Sequence, residues 1–328
     1  MKFLRSEAGA SVVWMMGCLA LAATISPWLY AGGRELAAAA GAKELSAPLE
    51  WLGAACGRAK FGRYFSRALA ISAVVLLPFL FRRLRTIRNQ EGVPRTLREG
   101  VPLRRGLLQL LLGVVIAAST LWAAGAFLYE AGVYTARLKP LGADKILTAV
   151  LLPAVVAGAL EEWLFRGLLL GLWLRFARPA LAVVGLSLFF AFIHFLEPPP
   201  GSAIANPAAP LAGFELLGKI LGHFADPVFF VTDFATLFVI GLILAWARLR
   251  TGALWFSIGL HAGWIMAFKG FNLMHRSVDS SPWHPWGVGD SLRSGLIPMA
   301  TLAVTAAICH FAFRHRLLAN AAFSPASR

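Results

Sequence analysis

The sequence predicts an all-α bundle of membrane-spanning helices, on the basis of three observations. The chain of 328 residues is 58% hydrophobic, only 14% of its residues are charged, and its mean hydropathy is +0.69. Soluble domains contain roughly a quarter charged residues. Long apolar runs recur along the chain, and Lys and Arg residues stand between them. These features indicate an integral, multi-pass membrane protein.

About eight apolar runs approach or exceed the length of a spanning helix, which needs about 20 residues. The first run follows Lys2 and Arg5, but it is too long for the apolar segment of a signal peptide, so we interpret it as a retained anchor. The predicted spans are 11–31, 64–81, 107–129, 146–174, 180–195, 228–247, 252–268 and 295–313.

We divide the chain into an N-terminal region of three spans (1–145), a core (146–269) and a final region (270–328). The net charge is +15, but its basic residues lie in short loops between spans rather than on one binding face, so we expect no nucleic-acid partner. The loop from Arg82 to Arg105 holds eight arginines against two glutamates. We expect anionic lipids near this loop and both termini in the cytoplasm, with a bacterial inner membrane as the location.

Two further loops, 196–227 and 272–290, are predicted on the opposite side. The first contains a proline-rich stretch and then a short amphipathic stretch, and the second is rich in turn residues and tryptophan. Both loops are open to two interpretations, ordinary connections or a cover over a site within the membrane.

The chemistry is concentrated in the heptapeptide EEWLFRG, which interrupts the fourth predicted span. A charged side chain at the centre of a bilayer helix costs roughly 2.5–3.5 kcal/mol. Glu162 and Arg166 are i and i+4 on one helix face and can pair with each other. Glu161 points about 100° away, so this carboxylate is left for another partner.

Two histidines on later spans are candidate partners for Glu161. The residues 175–179 form a turn, and counting from it places Glu161 and His194 at nearly the same depth, roughly 20 Å from the turn. His261 lies about 15 Å deep on the seventh span, within the range that helix tilt can absorb. Gly259 and Gly263 flank it and permit close helix approach.

A single buried His or an isolated Glu–Arg pair is most often structural, but this combination on three helices favours a functional site. Glu161 and His194 can activate a water molecule, and His261 can stabilise the oxyanion that forms on an attacked carbonyl. Peptide-bond hydrolysis fits these parts without a cofactor. Zinc bound by the His and Glu residues is the alternative, which we disfavour because no HExxH pair exists.

The three elements resemble a known family in their order along the chain. Glu161, Glu162 and Arg166 match EExxxR, Phe190 and His194 match FxxxH, and His261 opens an HxxxN-like element. Together they resemble the CAAX-protease and bacteriocin-processing (CPBP, or Abi) family of intramembrane glutamic endopeptidases, over residues from about 146 to 269. This family includes the CAAX prenyl endopeptidases.

The resemblance implies a role for each of these residues. Glu161 activates water together with His194, Glu162 and Arg166 hold the helix, and His261 with a polar residue four positions later forms the oxyanion site. Here that position is Ile265, which cannot donate a hydrogen bond. We therefore expect the oxyanion site to rest on His261 or on a residue outside the motif.

The predicted function is an intramembrane endopeptidase acting on a peptide or protein substrate, which need not be prenylated. Two other classes stay open: a non-catalytic scaffold or immunity-type protein, and an ion-coupled transporter with Glu161 as its proton site. The chain has no paired broken helices in its two halves, which argues against the transporter.

Overall fold

The structure is a computed structural model, and it describes residues 7–42, 46–88, 101–137, 142–174, 178–196, 201–278, 281–289 and 291–314. It consists of helices and one pair of short strands, which confirms the all-α membrane bundle. Two compact units can be distinguished, Met1–Val93 with Ile193–Asp226 and Pro94–Phe192 with Pro227–Arg328. Parts of the predicted basic loop (89–100) and of the 175–179 turn (175–177) lie outside the described residues.

The first unit is organised around one long helix, α1 (Glu7–Gly41). This helix packs against all three other helices that lie wholly within the unit. Where the helix Ala212–His223 meets α1, a Cβ on Gly213 would collide with the carbonyl of Ala23, so only glycine permits this approach. The helices are α1 (Glu7–Gly41), α2 (Ala47–Arg58), α3 (Phe61–Arg88) and α7 (Ala212–His223). Helix α7 is the amphipathic stretch that the sequence indicates.

The second unit contains the remaining helices, apart from the last residues of α6. They are α4 (Leu103–Glu130), α5 (Ala143–Trp173), α6 (Pro179–His194), α8 (Phe229–Thr251), α9 (Trp255–Met274) and α10 (Leu296–Arg314). Helix α5 has π-helical turns at Leu147–Leu151 and Trp163–Leu169, and α8 begins with another at Phe229–Phe234.

Within the described residues, six helices are long and apolar enough to cross a membrane: Gly9–Gly41, Phe61–Leu80, Leu103–Glu130, Ala143–Trp173, Phe229–Thr251 and Leu296–Arg314. The other two predicted spans are also helical, as the shorter apolar α6 of 16 residues and as α9 of 20 residues. Each predicted span therefore contains a helix, whereas α2 lies in a segment for which no helix was predicted.

Helix α9 packs closely along α4. A Cβ added to Gly259 would collide with the carbonyl of Leu110, and one added to Gly263 would lie 2.6 Å from the carbonyl of Val114. On the α4 side, a Cβ on Gly113 would lie 2.7 Å from the carbonyl of Phe256. The absence of side chains at these glycines lets the two backbones touch, which fixes α9 relative to α4.

A glycine turn follows α8, and a pair of short strands follows α4 and α9. Gly252 adopts a left-handed conformation (φ 68°) directly after α8, the usual helix-ending role of glycine, and turns the chain into α9. Strand β1 (Tyr134–Ala136), which follows α4, pairs antiparallel with β2 (His275–Ser277), which follows α9. The sequence does not predict these strands, because three residues are too few to produce an alternating pattern.

Candidate active site

The centre of the site is the buried ion pair between Glu162 and Arg166. Arg166 donates from Nη1 to Oε1 of Glu162 at 2.7 Å, and both side chains are completely buried. The second guanidinium nitrogen, Nη2, donates to the carbonyl oxygen of Gly241 on α8 at 3.2 Å. The predicted i, i+4 pair is thus present, and it ties α5 to α8.

His261 reaches this pair from α9. Its Nδ1 lies 3.1 Å from Oε1 of Glu162, the oxygen that also binds Arg166. Its Nε2 faces the neighbouring carboxylate, 3.8 Å from Oε2 of Glu161. One imidazole therefore stands between the two consecutive glutamates, hydrogen-bonded to the second and close to the first.

Glu161 and Glu162 differ in their access to the surroundings. The Glu162 side chain has no exposed surface, whereas that of Glu161 is 31% exposed. The backbone changes from α-helical to π-helical immediately after Glu162, at Trp163. Such π turns occur frequently at functional sites. Glu161 is thus the member of the doublet whose side chain reaches the surface, although its Oε2, the oxygen nearest His261, has almost no exposed area.

Phe190 closes the aromatic side of the cluster. The guanidinium carbon of Arg166 lies 4.3 Å from the centre of its ring, a close cation–π contact. The centroids of the His261 and Phe190 rings are 6.0 Å apart, with an angle of 76° between the ring planes. The Phe165 ring packs edge-on against the Phe190 ring, at a centroid distance of 5.0 Å. Phe190 is 1% exposed and thereby shields Arg166.

The helices around His261 leave it little freedom. Its own helix is pressed onto α4 at Gly259 and Gly263, on either side of it. On α5, Gly158 approaches Ala262, where an added Cβ would lie 3.2 Å from the Cβ of Ala262. Small residues on α4, α5 and α9 therefore set the position of the imidazole.

The charges of Glu161, Glu162, Arg166 and His261 nearly cancel within the cluster that these side chains form. Two carboxylates and one guanidinium carry a net charge of −1, which a protonated His261 would cancel. Burial of charge at low dielectric is tolerated only where charges are paired and hydrogen-bonded. Oε1 of Glu162 meets this requirement by accepting from both Arg166 and His261, whereas Oε2 of Glu162 and Nε of Arg166 have no hydrogen-bond partner among the described residues.

The depths predicted for Glu161 and His261, with the difference between them left to helix tilt, are compatible with the 3.8 Å between their side chains. A π-helical turn at Trp163–Leu169 directly follows Glu162 in α5. Bonding from i to i+5 places more residues in each turn, so α5 is shorter than an α-helix of the same sequence would be.

His194 is the last residue of α6, four positions after Phe190. The two residues therefore lie on the same face of that helix. His194 falls in the first compact unit, whereas Glu161 and His261 fall in the second. The predicted cooperation of His194 with Glu161 stays a prediction.

Gly241 is a residue of the site that the sequence pattern did not predict. Its carbonyl accepts the second hydrogen bond of Arg166, and its lack of a side chain also lets α8 approach α6 at Ser187. A lone glycine within an apolar span is a signal of close helix approach. Nothing in the residue pattern predicted that the carbonyl of Gly241 would also accept a hydrogen bond from Arg166.

In the part of the chain that the structure describes, no three His, Cys, Asp or Glu side chains are grouped so that they could hold a metal ion. Oε1 of Glu162 already accepts from both Arg166 and His261. The cofactor-free site stays a prediction.

Comparison with known proteins bears on the same segment. Residues 143–267 match the family model of the type II CAAX prenyl endopeptidase Rce1-like family. The match begins at α5 and ends within α9, so it includes Glu161, Glu162, Arg166, Phe190 and His261. It confirms the predicted resemblance to the CAAX-protease family and supports a CAAX-type intramembrane protease in general. No curated protein and no solved structure matches the chain.

Proposed function

Because residues 143–267 match the type II CAAX prenyl endopeptidase Rce1-like family model, we propose that this chain is an endopeptidase. It hydrolyses a peptide bond within or beside the membrane, using water activated by Glu161. The observation that carries the proposal is the position of His261, whose two nitrogens face the two consecutive glutamates at 3.1 and 3.8 Å.

Glu161 is the general base in this proposal. The Glu161 side chain is partly exposed, and its Oε2 lies 3.8 Å from Nε2 of His261, so the carboxylate is placed to take a proton from a water molecule bound beside it. The hydroxide attacks the carbonyl carbon of the scissile bond, and the carbonyl oxygen becomes an oxyanion. Glu161 then returns the proton to the amide nitrogen as the carbon–nitrogen bond breaks, so protons balance over the cycle.

Glu162 is a positioning residue for His261. A carboxylate only accepts hydrogen bonds, so Nδ1 of His261 carries the proton of their 3.1 Å contact. This leaves Nε2 to face Glu161. The arrangement parallels the general pattern of hydrolytic sites in which a third group orients the imidazole. Arg166 and Gly241 hold Glu162 in place.

His261 acts as the donor to the oxyanion when it is an imidazolium. In that form Nε2 also carries a proton, and the ion cluster is neutral. The distance of 3.8 Å between Nε2 and Glu161 exceeds a direct hydrogen bond. A substrate oxygen bound near both groups can accept from Nε2 while Glu161 binds the attacking water. His194 remains the proposed second partner of that water.

The proposed substrate is a peptide or a protein, and no metal is proposed. Prenylation is not required by any group described at the site. The zinc-dependent alternative would need ligands that the described residues do not group together.

The function is tested with purified protein in lipid nanodiscs and in cells. The in vitro probes are quenched fluorescent peptides ending in a CAAX-type sequence, with and without a prenyl group. In cells, proteomes of the wild type and of Glu161→Gln are compared for an uncleaved precursor that accumulates in the variant. Cleavage in vitro or an accumulating precursor, absent from a matched Glu130→Gln strain, supports the proposal. Equal proteomes and no cleavage in vitro overturn it.

A further inference from the structure

The second unit has an open groove on its surface, away from the site. The groove has a volume of about 390 Å³ and lies between α8 and α10. Apolar and small side chains form most of its walls, and its size falls in the range of small-molecule pockets. The lining residues are Leu242, Ile243, Trp246, Ala306, Ala307 and His310.

One end of the groove is aromatic and basic. The guanidinium carbon of Arg250 lies 5.9 Å from the centre of the Trp246 ring. The His310 ring stacks on Trp246 at a centroid distance of 6.4 Å and an angle of 22°, and Phe313 meets Trp246 edge-on at 5.2 Å. Trp246 is therefore flanked by a cation and an imidazole at the same helix ends.

The charge of this end is of one sign. The last turn of α8 contains Arg248 and Arg250, and the last turn of α10 contains Arg314. Neither Ala235–Thr251 nor Leu296–Arg314 contains an acidic residue. A tryptophan with basic neighbours at the end of a spanning helix is typical of the head-group layer.

We propose that this groove binds an anionic phospholipid. One acyl chain lies along the apolar floor formed with Ala306 and Ala307, where the small side chains make room. The phosphate lies at the end marked by Trp246, with Arg250 and His310 as its donors. The occupant follows from two properties of the groove: its walls are parts of membrane-spanning helices, and its polar end is basic. This proposal is independent of the proposed proteolysis.

The polar end is tested by native mass spectrometry of the purified full chain with dioleoyl-phosphatidylglycerol or dioleoyl-phosphatidylcholine added. Retention of phosphatidylglycerol over phosphatidylcholine is expected, and Arg250→Gln lowers it about fivefold, the effect of one basic residue near an anionic lipid. Arg276→Gln removes an exposed arginine on β2 and is expected to leave retention unchanged. Equal retention in Arg250→Gln and Arg276→Gln overturns the proposal.

The apolar floor needs its own test. Ala307→Phe fills the groove and is expected to reduce retention of phosphatidylglycerol severalfold, whereas Ile308→Phe, on an exposed part of α10, does not. Phosphatidylglycerol with brominated acyl chains is expected to quench fluorescence of the wild type more than that of Trp246→Phe. Identical quenching of the two proteins contradicts an acyl chain beside Trp246.

Discussion

His261 is hydrogen-bonded to Glu162, the buried member of the glutamate doublet, through its Nδ1 at 3.1 Å. The role of the second glutamate is thereby larger than holding its own helix. It fixes the ring of a residue 99 positions later and turns Nε2 towards Glu161. In the proposed mechanism, Glu162 orients the imidazole and Glu161 activates the water molecule.

Glu161→Gln should abolish proteolysis while leaving the protein folded. The amide has nearly the shape of the carboxylate but cannot take a proton, so the rate should fall about 10²–10⁴-fold, the range of general-base catalysis. Cleavage of the fluorescent peptides is measured together with thermal unfolding in detergent. Glu130→Gln, at the exposed end of α4, is the control. A Glu161→Gln protein that retains most of its activity would exclude Glu161 as the base.

Glu162→Gln should instead destabilise the protein. Its pair with Arg166 is completely buried, and removing one charge leaves the other buried without compensation, which costs about 3–5 kcal/mol. The chain provides a matched exposed pair, Glu215 and Lys219 on α7, also i and i+4 at 2.9 Å. Glu215→Gln should cost less than about 1 kcal/mol. Equal losses of unfolding free energy in the two variants would contradict this role of burial.

The sequence predicted which residues form the site better than it predicted the contacts between them. The Glu162–Arg166 pair follows from helical spacing alone. The glycines beside His261 predict that another helix packs closely against this part of the chain. The contact of His261 with Glu162 did not follow, because it depends on how α9 rotates against α5. The π-helical turn after Glu162 has no residue signature, so it could not be predicted. Strands β1 and β2 pair residues about 140 positions apart in the chain and are too short to produce an alternating pattern.

Gly259→Ala should lower both stability and activity. The added methyl group meets the carbonyl of Leu110, so α9 must move away from α4 and carry His261 with it. Overpacking of this kind costs about 1–3 kcal/mol. Gly218→Ala on α7 has open space around its Cβ and should be neutral or gain up to about 1 kcal/mol of helix propensity. Thermal unfolding and peptide cleavage are measured for both variants. Unchanged activity in Gly259→Ala would show that the contact between α9 and α4 does not determine the position of His261.

Chelators should leave proteolysis intact. The proposed base and donor are protein side chains, and Oε1 of Glu162 already accepts from Arg166 and His261. Activity is measured after dialysis against EDTA and after 1,10-phenanthroline, with a zinc protease treated in parallel as the control. Metal content of the purified protein is determined at the same time. Stoichiometric zinc, with activity lost to chelators and restored by zinc, would overturn the cofactor-free site.

Ile265→Asn should raise the rate of cleavage. Position 265 is one helical turn after His261, where the resemblance to the CAAX-protease family implies a polar residue, and isoleucine offers no donor there. An amide one turn from the imidazole can supply a second hydrogen bond to the oxyanion, a contribution worth up to about 10²–10³-fold in other enzymes. Because this bond forms mainly in the transition state, kcat should increase and KM should change little. Ile265→Leu is the control for altered packing. An asparagine variant no faster than the leucine variant would indicate that another group already completes the oxyanion site.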